Sequence, residues 1–118
     1  MSDLSSNLPG INVVDGLARV ARNKKLYLKL LRKVAADAPG IKEKMNAAVM
    51  SGDLNSLREQ AHSIKGSSAN LSITDVYAAA QQLEQAAKEE DMTGSVMHLG
   101  ALESALDAYV AVVADIED

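Results

Sequence analysis

Apolar residues recur every three or four positions along most of the chain, a spacing that places them on one side of an α-helix. The pattern predicts a short helix over about 13–22, a segment over about 24–50, and helices over about 53–70, 74–90 and 95–116. Pro39-Gly40 is expected to break or bend the second segment, or to open a new helix there. Ser51-Gly52 and Thr93-Gly94 are interpreted as turns. Because short connections between long helices favour antiparallel neighbours, the fold class is predicted to be all-α: an antiparallel four-helix bundle with one or two short N-terminal helices packed on it.

Two side-chain caps are predicted at the ends of these helices. Asp53 is expected to cap the start of the third long segment. Ser72 and Asp75 have the spacing of a capping box, in which the serine hydroxyl covers a backbone amide and the acidic side chain reaches back. Residues 1–10 are polar and end in Pro9-Gly10, so we expect a flexible N-terminal segment over 1–10 and a single helical domain over 11–118.

Composition narrows the classes of function. The 118 residues include no Cys, which excludes a disulfide framework, a thiolate nucleophile and Cys-ligated zinc. The net charge of -4 argues against a nucleic-acid-binding protein, whose footprint is normally basic. The first residues lack the basic start and apolar run of a signal peptide, and no apolar run approaches the length of a membrane span. We therefore expect a cytoplasmic protein that has no membrane segment and binds no nucleic acid.

One helix face combines a histidine with a cation and a glycine. At about 100° per residue, Lys65 and Gly66 fall within roughly 60° of His62, as do Arg58 and Ala69. The apolar residues of the same helix lie on the opposite side, so His62 is expected to face water. A partner protein could then reach the imidazole.

This face suits transfer of a phosphoryl group. Neutral imidazole is a nucleophile near pH 7, and phosphoryl transfer mainly needs positioning and charge compensation, which Lys65 can supply. Glycine within a helix costs roughly 0.5–1 kcal/mol relative to alanine, but Gly66 leaves room beside the imidazole. Arg58, Ser63 and Ala69 are expected to contact the docked partner.

The stretch His62-Ser63-Ile64-Lys65-Gly66-Ser67-Ser68-Ala69-Asn70-Leu71 resembles the signature of the histidine-containing phosphotransfer (HPt) domain of two-component phosphorelays. The resemblance implies that His62 is phosphorylated, with Lys65 and Gly66 in support. It also implies a Glu or Gln near the imidazole on the next helix, for which Glu84 is the best candidate and Gln81 the second. The chain departs from the family pattern where Ser72 and Arg22 stand at positions that are usually Gly.

The resemblance implies a phosphoryl carrier rather than an enzyme, with a response-regulator receiver domain and a hybrid sensor histidine kinase as partners. The chain lacks a Gly-rich nucleotide loop, and no cofactor or metal is expected. A monomer is expected, because a receiver must reach His62 unobstructed.

Three alternatives remain at this stage: the substrate domain of a chemotaxis-type kinase, a receiver-docking module whose histidine is not phosphorylated, and a di-metal bundle. The di-metal bundle rests on Glu59-x-x-His62, but such sites need a second Glu-x-x-His and further glutamates.

Overall fold

The computed structural model describes Leu4 and residues 7–117, and within that part of the chain it contains five helices and no strand. They are α1 (Val13–Arg19), α2 (Lys24–Ser51), α3 (Leu54–Leu71), α4 (Thr74–Lys88) and α5 (Met92–Ala114). In the bundle α3 packs against α2 and α4, and α5 packs against the same two helices, so α3 and α5 are diagonally opposite. The short helix α1 packs on α3 and α2. The predicted all-α bundle with a short N-terminal helix is confirmed.

Buried apolar side chains from all four long helices form one core. The hydroxyl groups of two buried tyrosines tie helices together: Tyr27 Oη donates to the carbonyl oxygen of Leu71 at 2.6 Å, and Tyr109 Oη donates to that of Leu31 at 2.6 Å. Burial raises the pKa of Tyr27 to about 12. Both hydroxyl groups therefore act as hydrogen-bond donors inside the core.

Helix α2 runs continuously through Pro39, so the predictions that Pro39-Gly40 breaks this segment or opens a new helix are wrong. Proline cannot donate the usual helical hydrogen bond and typically costs about 3 kcal/mol within a helix. The helix continues because Leu31 and Ala38 before and Met45 after this point are all buried against the bundle. Pro39 and Gly40 themselves are exposed.

The helix ends agree with the predictions in part. Asp53 is confirmed as the N-cap of α3, where its side chain accepts a hydrogen bond from the backbone N–H of Ser56 at 3.0 Å. The predicted capping box is wrong: Ser72 ends α3 in a left-handed conformation with φ of 56°, and the N-cap of α4 is Ile73, which makes no side-chain cap. Thr93-Gly94 is also not a turn, because Asp91 caps α5 by accepting from the N–H of Gly94 at 2.9 Å.

Helix α1 is shorter than predicted and is attached at two points. It ends at Arg19 because Ala21 and Arg22 both adopt left-handed backbone conformations, with φ of 54° and 59°. Gly16 lies against the buried side chain of Tyr27, and Asp15 accepts a hydrogen bond from the Ser72 hydroxyl.

Part of the expected flexible segment 1–10, namely residues 1–3, 5 and 6, lies outside the described residues. Of its described residues, Leu4 and Leu8 are buried in the core cluster.

Helix α5 is long and apolar enough to cross a membrane by length and composition, a test that the core helices of bundles also pass. The sequence expectation that no apolar run approaches the length of a membrane span did not identify this helix, which includes two acidic residues, Glu103 and Asp107. One side of the helix is buried within the bundle and includes Leu102 and Leu106. Its two acidic side chains bond to α2, through Asn46 Nδ2 to Glu103 Oε2 at 3.0 Å and Lys42 Nζ to Asp107 Oδ1 at 2.5 Å.

Candidate functional site

The side chain of His62 stands on the outer surface of α3 with 69% of its area exposed. The same helix is anchored by Leu57, Ala61 and Ile64, which are buried on the opposite side. This amphipathic arrangement holds the backbone of α3 firmly while the imidazole remains accessible to a macromolecule.

The carboxylate of Glu84 on α4 connects His62 with Lys65. Glu84 Oε2 is 2.5 Å from His62 Nδ1, and Glu84 Oε1 forms an ion pair with Lys65 Nζ. Antiparallel packing of α3 and α4 brings Glu84 to the level of His62, 22 residues earlier in the chain. The exposed fractions are 17% for Glu84 and 25% for Lys65, so the two partners are considerably less exposed than the imidazole.

The pairing keeps both partners ionised at neutral pH. The hydrogen bond from Lys65 is the main reason that the pKa of Glu84 is below its usual value, and the hydrogen bond to His62 lowers it further. In turn, the hydrogen bond to Glu84 raises the pKa of Lys65. Glu84 is therefore a carboxylate across the physiological range.

An ionised carboxylate fixes the tautomer of a neutral imidazole. Because a carboxylate only accepts hydrogen bonds, His62 Nδ1 must carry the proton in this contact. In the neutral ring the lone pair is then on Nε2, the atom not engaged by Glu84. The arrangement therefore orients the ring and leaves one nitrogen available as a nucleophile.

Gly66 is exposed, and a Cβ atom added to it would meet nothing within 4 Å. Packing within the described residues therefore does not require a glycine there. The missing side chain leaves open space on the surface of α3 beside His62.

The other residues selected from the sequence lie around this site without joining the Glu84 contacts. Gln81 is exposed on α4 and forms no side-chain hydrogen bond within residues 4 and 7–117. Arg58 donates to Asn55 Oδ1 at 2.8 Å, along its own helix. Ser63 is exposed, and Ala69 is half-buried beside α1 and α4.

The described residues contain no group of three His, Asp or Glu side chains placed to hold a metal ion. Glu59, the acidic residue of the Glu-x-x-His sequence, is exposed and accepts a hydrogen bond from Asn55 at 3.3 Å. The Nδ1 atom of His62 is occupied by Glu84. These contacts differ from those of a di-metal bundle, whose ligands converge on the core.

Sequence reasoning did not find the Asp15–Ser72 contact or the hydroxyl contact of Tyr27 with α3. Asp15 lies 57 residues before Ser72, and no local spacing signals such a pair. The only available signal was Ser72 itself, a residue with a side chain where the family pattern has Gly.

Comparison with known proteins agrees with this geometry. The family model of the Hpt domain matches residues 29–112. A solved structure described as the HPT domain from the Hpt sensor hybrid histidine kinase from Shewanella is similar in fold, with a TM-score of 0.63 and 20% sequence identity. That match covers 86% of this chain and 93% of the other. No curated protein matches the chain significantly.

The family match includes α3, α4 and nearly all of α5, and thus the whole of the His62–Lys65–Glu84 site. The chain belongs to the Hpt domain family, the phosphotransfer modules of two-component signalling systems.

Proposed function

We propose that this protein relays a phosphoryl group between receiver-domain aspartates and that His62 carries the group. The observation that carries the proposal is the exposed imidazole whose Nδ1 is bound to an ionised carboxylate. In the neutral ring this arrangement places the lone pair on Nε2, as a nucleophile requires.

In the proposed step the Nε2 lone pair attacks the phosphorus of an aspartyl phosphate on a receiver. The new N–P bond forms as the P–O bond to the receiver breaks, and the electron pair leaves with the receiver carboxylate. No proton needs to move, because Nδ1 keeps its proton throughout and donates it in a hydrogen bond to Glu84. Phosphorylation makes the ring cationic, and the charge of Glu84 stabilises that cation. Reversal of the step passes the phosphoryl group to another aspartate.

Lys65 and Gly66 support this step in different ways. Lys65 holds Glu84 in its ionised form, and its ammonium group places positive charge beside the site of the incoming phosphoryl oxygens. Gly66 leaves open space next to the ring, through which the partner's acyl phosphate approaches. Arg58, Ser63 and Ala69 lie on the surrounding surface, where a receiver docks.

In this role the protein has no catalytic activity of its own and requires no cofactor. The partners are a response-regulator receiver and the receiver of a hybrid sensor kinase, and the protein acts as a monomer in the cytoplasm. Family membership implies interaction with receivers and kinases, whereas transfer between two receiver aspartates is part of the proposal.

The proposal is tested by incubating the protein with a panel of phosphorylated receiver domains. Wild type and a His98→Gln control are expected to acquire an acid-labile, alkali-stable label, whereas His62→Gln acquires none. His98 is the other histidine of the chain and lies on α5, away from α3. Label on His62→Gln would assign the phosphoryl group to another residue. Failure of every receiver to label wild type would overturn the relay.

A further inference from the structure

The beginning of α2 concentrates much of the positive charge of the chain. Six of the twelve Lys and Arg residues lie within 22–33, which contains no acidic residue, whereas all sixteen Asp and Glu residues lie elsewhere. The charge is therefore strongly asymmetric, although the net charge of the chain is -4. Because the Debye length is about 10 Å at about 0.1 M ionic strength, a partner that approaches this region senses mainly the nearby cations.

Four of these cations form one outward face of α2. At about 100° per residue, Lys25, Arg32 and Lys33 lie within roughly 60° of Lys29, and all four side chains are exposed. The apolar side chain of Leu26 lies within the same angle and is 40% exposed. We call the four cations the basic face. It extends over about 12 Å of helix, at a rise of about 1.5 Å per residue.

The fold itself uses only part of this charge. Lys33 Nζ donates to Asp37 Oδ2 at 3.1 Å, and Arg32 donates to a backbone carbonyl oxygen just beyond the end of α5 at 3.2 Å. The side chains of Lys25 and Lys29 have no hydrogen bond or ion pair within the described residues. Like charges four positions apart repel, and cations in the first turn oppose the helix dipole, with no acidic residue there to offset them. The basic face therefore disfavours α2 locally and needs an explanation outside the fold.

An anionic lipid surface suits the basic face better than a protein site of fixed geometry. The lysine ammonium group is a hydrated point charge on a flexible stem, whereas recognition of carboxylates at fixed positions favours the planar fork of arginine. Lys25, Lys29 and Lys33 follow one another at four-residue steps along a convex helix surface, so a flat array of headgroups can contact all three together. A cluster of about four to eight cations on a helix is typical of binding to acidic phospholipids. The exposed side chain of Leu26 adds apolar area that can enter the headgroup region.

We propose that the basic face of α2 binds anionic phospholipid headgroups and holds the protein at the surface of an acidic membrane. The contact is peripheral, with α2 lying along the surface. His62 stays accessible in this state, because it contacts Glu84 on α4 and α4 is diagonally opposite α2 in the bundle. The proposal goes beyond the phosphoryl relay and does not depend on it, since it rests on the charge and exposure of α2.

The test is co-sedimentation of the full chain with vesicles of equal parts phosphatidylglycerol and phosphatidylcholine. Wild type is expected to bind them, to ignore vesicles of phosphatidylcholine alone, and to dissociate at about 1 M salt, where the Debye length is about 3 Å. Lys25→Gln/Lys29→Gln is expected to bind about 25-fold more weakly, because each cation near an acidic membrane contributes about fivefold in affinity. Its melting temperature should not fall, because the substitutions relieve repulsion between like charges.

Arg58→Gln/Lys88→Gln is the matched control. These residues lie on α3 and α4, outside the basic face, and their replacement changes the net charge by the same amount. This variant is expected to bind within about twofold of wild type, since its charges are screened from a membrane on α2. Equal weakening by the two double variants would overturn the assignment to the basic face. Failure of wild type to bind the anionic vesicles would overturn the lipid assignment, and binding to poly-glutamate instead would indicate an acidic protein partner.

Discussion

A single carboxylate, that of Glu84, contacts both the imidazole of His62 and the ammonium group of Lys65. The carboxylate must be ionised for either contact to have its full strength. Because its folded-state pKa is lowered below 4.5, its contribution to stability is present above about pH 4.5 and is lost as the pH falls through the folded-state value. The folded-state pKa of Lys65 is raised above 10.5. Its contribution to stability is therefore present below about pH 10.5 and is lost as the pH rises through the folded-state value. Glu84 and Lys65 therefore both stay ionised throughout the neutral range.

Replacing Glu84 by Gln tests the charge separately from the shape. The amide oxygen can still accept from His62 Nδ1, but it no longer neutralises the phosphorylated ring. Charge-assisted hydrogen bonds are roughly twice as strong as neutral ones, so we expect transfer to slow by about 5–10-fold. The stability difference from wild type should shrink as the pH falls below about 4.5 and disappear below the lowered folded-state pKa of Glu84, where the carboxyl group is neutral in both states.

Two measurements test this: the rate of transfer at neutral pH, and the free energy of unfolding by denaturant above and below about pH 4.5. Glu103→Gln on α5 is the control, since Glu103 contacts Asn46 on another side of the bundle. A Glu84→Gln variant that transfers as fast as wild type would show that the charge has no part in the step.

At the scale of the elements, the junction between α3 and α4 depends on an unusual cap. Ser72 occupies a left-handed conformation that glycine adopts without strain, and its hydroxyl donates to Asp15 on α1. The hydrogen bond from Ser72 is the main reason that the pKa of Asp15 is lowered. The serine therefore exchanges some backbone strain for a contact that attaches α1 to the end of α3.

Two substitutions of Ser72 separate strain from hydrogen bonding. Ser72→Ala loses the hydrogen bond and keeps the strain, so we expect it to lower the free energy of unfolding by about 1–3 kcal/mol. Ser72→Gly loses the same bond but relieves the strain, and it should be about 1 kcal/mol more stable than Ser72→Ala. Urea unfolding of both variants measures the difference. At Ser104, an exposed position within α5, alanine should instead be more stable than glycine. The same order at both positions would contradict the strain that we assign to Ser72.

At the scale of the whole molecule, α1 is joined to the bundle through the contact of Gly16 with Tyr27. A Cβ atom on Gly16 would lie 2.1 Å from Tyr27 Oη, and the tyrosine is fully buried with its hydroxyl bound to Leu71. Neither partner can move aside without breaking a buried contact. Only glycine allows α1 to approach the bundle this closely.

Gly16→Ala should therefore displace α1 while the four long helices stay folded. We expect the free energy of unfolding to fall by about 1–3 kcal/mol, the usual cost of overpacking. Hydrogen exchange of α1 amides should accelerate, while that of core amides in α5 reflects only the lower global stability. Gly100→Ala serves as the control, since its Cβ has free space and should stabilise the helix. Unchanged exchange in α1 would show that the close contact does not hold this helix in place.

The sequence alone determined the features that depend on spacing within one helix. Apolar residues three and four positions apart predicted the long helices, and the same geometry placed Lys65 and Gly66 beside an outward His62. Asp53 could be recognised as a cap because its partner, the N–H of Ser56, is three residues away. Contacts of this kind are properties of the local helix and require no knowledge of its neighbours.

Only the tertiary structure decided the contacts between helices. Glu84, rather than Gln81, meets His62 because the packing of α3 against α4 sets their relative height, and three residues shift a helix position by about 4.5 Å. Burial on both sides of Pro39 keeps α2 continuous, against the local preference of proline. The hydroxyl of Ser72 donates to Asp15 of α1 and does not cap α4. In each case the energy comes from residues far apart in the chain, which local spacing does not record.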